Sequence, residues 1–206
     1  MHEAADLDRL VIPNVGDFYR FKGARETTEM MAEKIGKERF LMASLLSPFT
    51  MAGELRGVEE MMMDCVMEEE FVHNLLELSL EVNRTFVEDM ITWETDAIIL
   101  CDPTASGDLI SADDYERFSK APLKALGAAV RKGGKMQTNH ICGDTFDRLD
   151  IVAETGCKAY SVDYQVDIRV GREDEGPHGD HREHQPRTSA VQRNTVRCKK
   201  GDIGRS

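Results

Sequence analysis

The sequence predicts an α/β protein built from βα units with parallel strands. Three observations carry that reading. Between residues 20 and 168, apolar runs of five to eight residues alternate with helical patterns of ten to twenty-five. Two of those runs end on residues with chemical potential followed by a turn former, in Cys101-Asp102-Pro103 and His140-Ile141-Cys142-Gly143. At 206 residues and 41% hydrophobic content, the chain has material for the core of one ordinary domain.

Taken in order, residues 24–35 read as a helix and 39–46 as a strand. Helices follow over 57–67 and 70–93, the second long and amphipathic with Phe71, Leu75, Leu78, Val82, Phe86 and Met90 near one face. The methionines at Met61, Met62, Met63 and Met67 suit helix packing better than a copper site. A strand over 96–101 leads into a small, polar segment at 103–110 with the composition of a ligand-facing turn. Ser111 followed three residues later by Asp114 is an acidic variant of the capping box and starts a helix over 111–120. A further helix over 123–132 closes at Gly133-Gly134, and a strand at 135–140, a helix at 145–154 and a strand at 159–162 complete the pattern.

Composition excludes several functions. A net charge of −12 argues against nucleic acid or an anionic membrane as the main partner, since both require clustered Lys and Arg. Apolar runs such as 97–101 are far too short to cross a bilayer and nothing resembles a signal peptide, so the default compartment is the cytoplasm. The five cysteines (Cys65, Cys101, Cys142, Cys157, Cys198) are scattered, which favours reduced thiols over a disulfide framework. From 169 to 206 there is no Leu, Met, Phe, Trp or Tyr, and nine Lys or Arg face six Asp or Glu, which leaves the first 168 residues near −15. That composition reads as a disordered tail, with a His-rich metal segment at His178, His181 and His184 as the alternative.

The chemistry concentrates at His140 and Cys142. Residues i and i+2 at a strand end point to the same side, so an imidazole and a thiolate can reach one small, soft cation such as zinc. Two ligands do not make a site, because closed or catalytic zinc sites need at least three protein donors. Asp102, after an apolar strand and before Pro103, is a candidate catalytic carboxylate at the mouth of the fold, with capping of the following turn as the alternative; Asp163 has the same two readings. Ser106 in the ligand-facing turn and Gly143 beside the donor pair are candidate substrate contacts, Gly143 also permitting a tight turn. Glu54 and Arg56 read as solvent-facing or helix-terminal charges.

Five blocks together resemble the uroporphyrinogen decarboxylase superfamily, and within it the methylcobamide:coenzyme M methyltransferase branch. They are Ser47-Pro48-Phe49-Thr50-Met51-Ala52, Cys101-Asp102-Pro103-Thr104-Ala105-Ser106, Leu109-Ile110-Ser111, His140-Ile141-Cys142-Gly143-Asp144-Thr145 and Ser161-Val162-Asp163. The resemblance covers roughly residues 5 to 168 and implies a partial (β/α)8 TIM barrel with each block at the C-terminal end of a strand, where such barrels carry their sites. The His-x-Cys pair selects the methyltransferase branch, because the decarboxylase branch usually lacks it.

The resemblance implies that His140, Cys142 and a further cysteine hold zinc, that the thiol of coenzyme M joins the metal, and that the activated sulfur takes the methyl group of a methylcobamide carried by a corrinoid protein. The family's third cysteine comes from a late strand with no counterpart in frame here; Cys101 sits on the same rim but reads better as a small buried residue, and Cys198 is not assigned the role. Weak or absent zinc binding is therefore expected of this chain. A porphyrinogen decarboxylase is the second reading, disfavoured by the scarcity of Arg and Lys at the mouth, and a fragment without activity is the third.

The tail departs from the family, yet Asp180-His181-Arg182-Glu183-His184-Gln185-Pro186 back-translated and read one base later permits Ile-Ile-Gly-Asn-Ile-Asn-Pro, which matches the Gly-Asn-[Ile/Val]-[Asn/Asp]-Pro segment the family carries at its next strand. The expectation is that 169–206 is translated out of frame and that its histidines are accidental. Family members also carry about a third of a barrel ahead of the region matched here, so a chain holding only the middle of a barrel is expected to leave strand edges unpaired and its apolar interior uncovered.

Overall fold

The computed structural model describes residues 4–12 and 14–167; the tail from 168 onward, with its three histidines and its proposed change of frame, lies outside the described residues. Four parallel strands form one sheet in the order β1 (Met42–Leu46), β2 (Ala97–Cys101), β3 (Met136–His140), β4 (Ala159–Ser161). The register aligns Leu46 with Cys101, Cys101 with His140 and His140 with Ser161, so the last residue of every strand stands in one row at the C-terminal edge.

Parallel strands need crossovers, and helices supply them. Between β1 and β2 run α2 (Pro48–Arg56), α3 (Val58–Met67) and α4 (Glu69–Met90). The helix α2, unassigned from sequence, has a plain cause: Ser47 caps it by accepting from the Thr50 N–H at 3.3 Å, and Pro48 opens its first turn. Gly57, at φ 104, turns the chain from α2 into α3, a conformation that a side chain resists. The predicted face of α4 is rotated. Val72, Leu75, Leu76, Ser79, Asn83, Val87 and Met90 are the buried residues, and the stripe was obscured because it includes two polar side chains. One of them, Asn83, donates through Nδ2 to the Leu46 carbonyl at 2.6 Å, tying α4 to the end of β1.

Between β2 and β3 the structure has one continuous helical run where the sequence suggested two. The short α5 (Ala112–Asp114) passes into a π-helical turn at Tyr115–Ser119 and then into α6 (Lys120–Lys132). Pro122 argues for a break because it lacks an N–H and crowds the preceding turn; the wider π turn just ahead accommodates it. Ser111 caps this run by accepting from Asp114 N–H at 3.0 Å, as its capping-box pattern indicates. The β3 to β4 link is a 3-10 turn at Phe146–Arg148 leading into α7 (Leu149–Ala153). Ahead of the sheet, α1 (Tyr19–Ile35) buries no residue and starts five positions earlier than its polar pattern suggests. Aromatic contacts hold it, Phe21 lying 5.0 Å from Phe86 and 4.9 Å from Trp93.

Alternate strand residues divide the sheet into two faces. Ala43, Ile98 and Leu100 point to α4 and α6, where they pack with Val87, Met90, Leu123, Leu126 and Val130. Each such fully buried aliphatic side chain contributes about 1.5–3 kcal/mol. The opposite face bears Met42, Ser44, Leu46, Ile99, Cys101, Thr138 and His140, and at β1 it is open, with Met42 52% and Leu46 40% exposed.

Candidate functional site

The row of strand ends places His140 between Cys101 on β2 and Ser161 on β4. Its Nδ1 lies 2.9 Å from the Ser161 carbonyl oxygen. A carbonyl only accepts, so Nδ1 carries a proton, and in the neutral ring Nε2 is then the nitrogen with the lone pair. That lone pair faces the Cys142 sulfur at 3.2 Å. The backbone of β4 thus selects the tautomer in which Nε2 can bind a cation, the arrangement of metal-ligating histidines generally. Cys142 is exposed, and its thiol is held above its ordinary value first by partial burial, then by the nearby Asp163 carboxylate and the neighbouring thiol of Cys101.

A zinc ion with bonds of about 2.0 Å to nitrogen and 2.3 Å to sulfur would set those atoms about 3.5 Å apart across a tetrahedral edge. The observed 3.2 Å needs to open by only a few tenths of an ångström, so the pair fits two corners. No group of three His, Cys, Asp or Glu side chains among the described residues is placed to hold a metal ion. Cys101, the in-frame candidate for a third donor, instead faces the Ser44 hydroxyl at 3.5 Å. The donor set here is a pair and not a closed site.

Gly143 and Ser106 meet beside this pair. Gly143 has φ 76, and a Cβ there would collide with the Asp108 carboxylate and come within 3.3 Å of Ser106. The turn that presents Cys142 is therefore pressed against the segment 106–108, a close approach that only glycine permits. The Ser106 hydroxyl is buried and accepts from the Asp108 N–H at 3.3 Å. Arg148, fully buried, pins the same segment by donating to the carbonyls of Ala105 at 2.8 Å and Ile110 at 2.9 Å, while Gly107 N–H donates to Asp144 O at 2.9 Å. Asp163 accepts from the Gln165 N–H at 3.2 Å, so its carboxylate organises its own turn while it faces Cys142.

Asp102 does not lie open at the mouth. Its side chain is 0% exposed and accepts from the hydroxyls of Ser47, of Thr50 at 2.8 Å and of Ser119 at 2.5 Å. It makes no side-chain cap for the turn that follows it either. Burial pushes the Asp102 carboxyl up, and the three hydroxyl donors pull it back part of the way. Sequence reasoning missed Arg148, Ser119 and Asn83. Arg148 and Asn83 are polar residues at positions that read as solvent-facing, and Ser119 is brought to Asp102 by a π turn that no local pattern announces.

The architecture is a segment of a parallel βα barrel with the candidate donors His140 and Cys142 at the C-terminal ends of its strands, the face on which barrels of this class act. The comparisons agree. The family model described as uroporphyrinogen decarboxylase (URO-D) matches residues 1–185, and the chain belongs to that family. Among curated relatives it is similar to the methylcobamide:CoM methyltransferase MtbA of Methanosarcina acetivorans, with 30% identity covering 78% of this chain and 50% of that protein. It is also similar to the uroporphyrinogen decarboxylase of Chloroherpeton thalassium, with 27% identity covering 84% of this chain and 50% of the relative. The solved structure of a methyltransferase from Methanosarcina mazei superimposes with a TM-score of 0.70 at 25% identity, over 76% of this chain and 46% of that one. The chain spans about half the length of the relatives it matches. No helix among the described residues is long and apolar enough to cross a membrane.

Proposed function

We propose that this chain carries part of a barrel for methyl transfer from a methylated corrinoid, presented by a corrinoid protein, to a thiol such as coenzyme M. The observation that carries the reading is the His140 Nε2 lone pair, fixed by the Ser161 carbonyl and aimed at the Cys142 sulfur on the open strand-end rim. The methyltransferase relatives support it. In this reading zinc would be held by His140, Cys142 and a third donor that the family draws from a later strand with no in-frame counterpart in this chain, and it would supply the acidity that turns a bound thiol into a thiolate. His140 and Cys142 then serve as its donors, Asp163 keeps negative charge beside them, and the Ser106–Asp108 segment walls the approach. We also propose that 169–206 reads out of frame.

The decarboxylase reading needs cationic side chains free to meet a substrate with many carboxylates. Three arginines among the described residues are engaged elsewhere: Arg148 with carbonyls, Arg56 with Asp64, and Arg117 with Glu69. That favours methyl transfer.

The test is zinc content by native mass spectrometry together with demethylation of methylcobalamin followed by its visible spectrum, with and without coenzyme M. The chain as it stands is expected to hold zinc loosely and to demethylate slowly or not at all. The same gene restored to frame near codon 168 is expected to gain both properties and to lose them in His140→Ala and Cys142→Ala. Stoichiometric, tightly held zinc in the present chain, or a locus with no one-base offset, would sink the out-of-frame reading. Retained activity in both alanine variants would sink the donor pair.

A further inference from the structure

We infer that Asp102 is a positioning residue: a buried carboxylate that locks three strand ends through a collar of hydroxyls and thereby fixes where His140 presents its ring to Cys142. It rests on the reading of His140 and Cys142 as a donor pair, but not on the methyl-transfer reaction.

The backbone supplies the first half of the argument. One residue beyond β1, the Ser47 N–H donates to the Cys101 carbonyl at 2.7 Å; one residue beyond β2, the Asp102 N–H donates to the His140 carbonyl at 2.8 Å. The sheet ladder is thus extended by one rung at the rim, and the second of those rungs ends on the candidate ligand itself. Such post-strand rungs ordinarily fray, because the chain is already turning away.

The Asp102 side chain holds both rungs. One carboxylate oxygen accepts from Ser47 and Thr50, fixing the start of α2, and the other accepts from Ser119 in the π turn ahead of α6. Thr50 also meets Thr104 at 2.9 Å, which closes the collar onto the segment after Asp102. Two elements remote in sequence, the start of α2 and the π turn, therefore converge on one carboxylate at the end of β2, and the helix irregularity lies where it delivers the Ser119 hydroxyl. π turns recur at functional positions in this way. Phe49, Ala105 and Phe118, next in sequence to Thr50, Thr104 and Ser119 of the collar, are all 0% exposed. Since Asp102 itself is sealed from solvent, it touches no substrate; its effect on the donors passes through the Asp102 N–H to His140 carbonyl bond.

The experiment uses the full chain labelled with 15N-histidine, the His140 signals being assigned with His140→Gln, together with a titration of cobalt(II) alone followed by thiolate-to-cobalt absorption. In the wild type His140 is expected to show the tautomer protonated at Nδ1. Asp102→Ala is expected to lose that single-tautomer signature and to weaken cobalt(II) binding by about tenfold or more, the usual scale of outer-shell losses. Asp102→Asn keeps the shape, and the hydroxyls can turn to pair with an amide, so it is expected to restore most of both. An Asp102→Ala chain that keeps the wild-type far-ultraviolet dichroism, tautomer and affinity overturns the proposal. Should Asp102→Ala fail to fold, Ser119→Ala is read in the same way: a partial loss of the signature supports the collar, and an unchanged signature overturns it. A wild type that binds no cobalt(II) yet has an Asp102-dependent tautomer defeats the donor-pair reading and leaves the collar standing. Cobalt(II) binding indifferent to Asp102→Ala does the reverse.

Discussion

The two faces of the sheet are made from the same 18 strand residues and have opposite fates. On one, Ala43, Ile98 and Leu100 are sealed beneath α4 and α6. On the other, Met42 and Leu46 stand open, and the row of strand ends carries His140 and Cys101 beside the Cys142 turn. Of the two, the covered face is the one that packs against helices. The open face carries the candidate donor His140, and its rim is organised by polar clasps such as the Ser161 carbonyl on His140 and the hydroxyls on Asp102. A single alternation along each strand therefore separates folding from chemistry.

The sharpest way to break that contrast is in the covered face. Leu100→Ala is expected to cost about 2–5 kcal/mol, because Leu100 is fully buried and the helices above it can relax only in part. Chemical denaturation checks it, and a loss below about 1 kcal/mol would mean that the helices do not close on the sheet as described.

Next in size is a pH effect from the core above the rim. Burial, and then the charges of Asp114 and Asp64, push the Cys65 thiol up to about 11. A folded-state pKa above the unfolded one gives stability that is complete below the ordinary thiol value and drains away as pH rises toward the folded value. Burial acts in the same direction on Cys157, Tyr115 and Tyr160. Stability is therefore expected to fall between about pH 8.5 and 11, with Cys65 contributing about 2–3 kcal/mol. Cys65→Ser should leave less of that alkaline slope in urea melts taken across the range, and an unchanged slope would remove Cys65 from the account.

At the rim, Gly143→Ala is expected to cost about 1–2 kcal/mol, combining a left-handed φ with a Cβ that meets the Asp108 carboxylate. Asp108→Ala in the same chain should recover the steric part and not the backbone part, so a double-mutant cycle separates them. Full recovery would show that φ at Gly143 imposes no strain.

How much of this could be read from the sequence follows the same division. Strands β2, β3 and β4 lie within a residue or two of their expected bounds: β2 is a short apolar run before Pro103, while β3, mostly polar, is bracketed by Gly133-Gly134 and Gly143. The His140–Cys142 spacing was readable because period-two geometry is local. What escaped was non-local. Asn83 and Ser79 look solvent-facing until β1 is laid against α4, and Ser119 looks like an ordinary helix residue until the π turn brings it to Asp102. Asp102 itself read as mouth-facing because a strand-end Asp before Pro usually is; only the convergence of α2 and the helix ahead of α6 buries it. The edge of α1 was misjudged because its anchors, Phe18 and Phe21, precede the polar pattern and pack on Phe86 and Trp93.

The smallest expected effect on stability lies in the open face, and it is the most telling. Met42→Lys and Leu46→Lys replace side chains that are already 52% and 40% exposed, so each should change the unfolding free energy by less than about 0.5 kcal/mol. Their effect should appear in association instead. An uncovered apolar strand beside an open sheet edge is a template for pairing with another copy, and a charge on the edge strand is the usual remedy. Sedimentation velocity is expected to show self-association or aggregation in the parent chain and less of it in the double variant. If the lysines cost as much as Leu100→Ala, β1 is covered on both sides and the two faces of the sheet are equivalent.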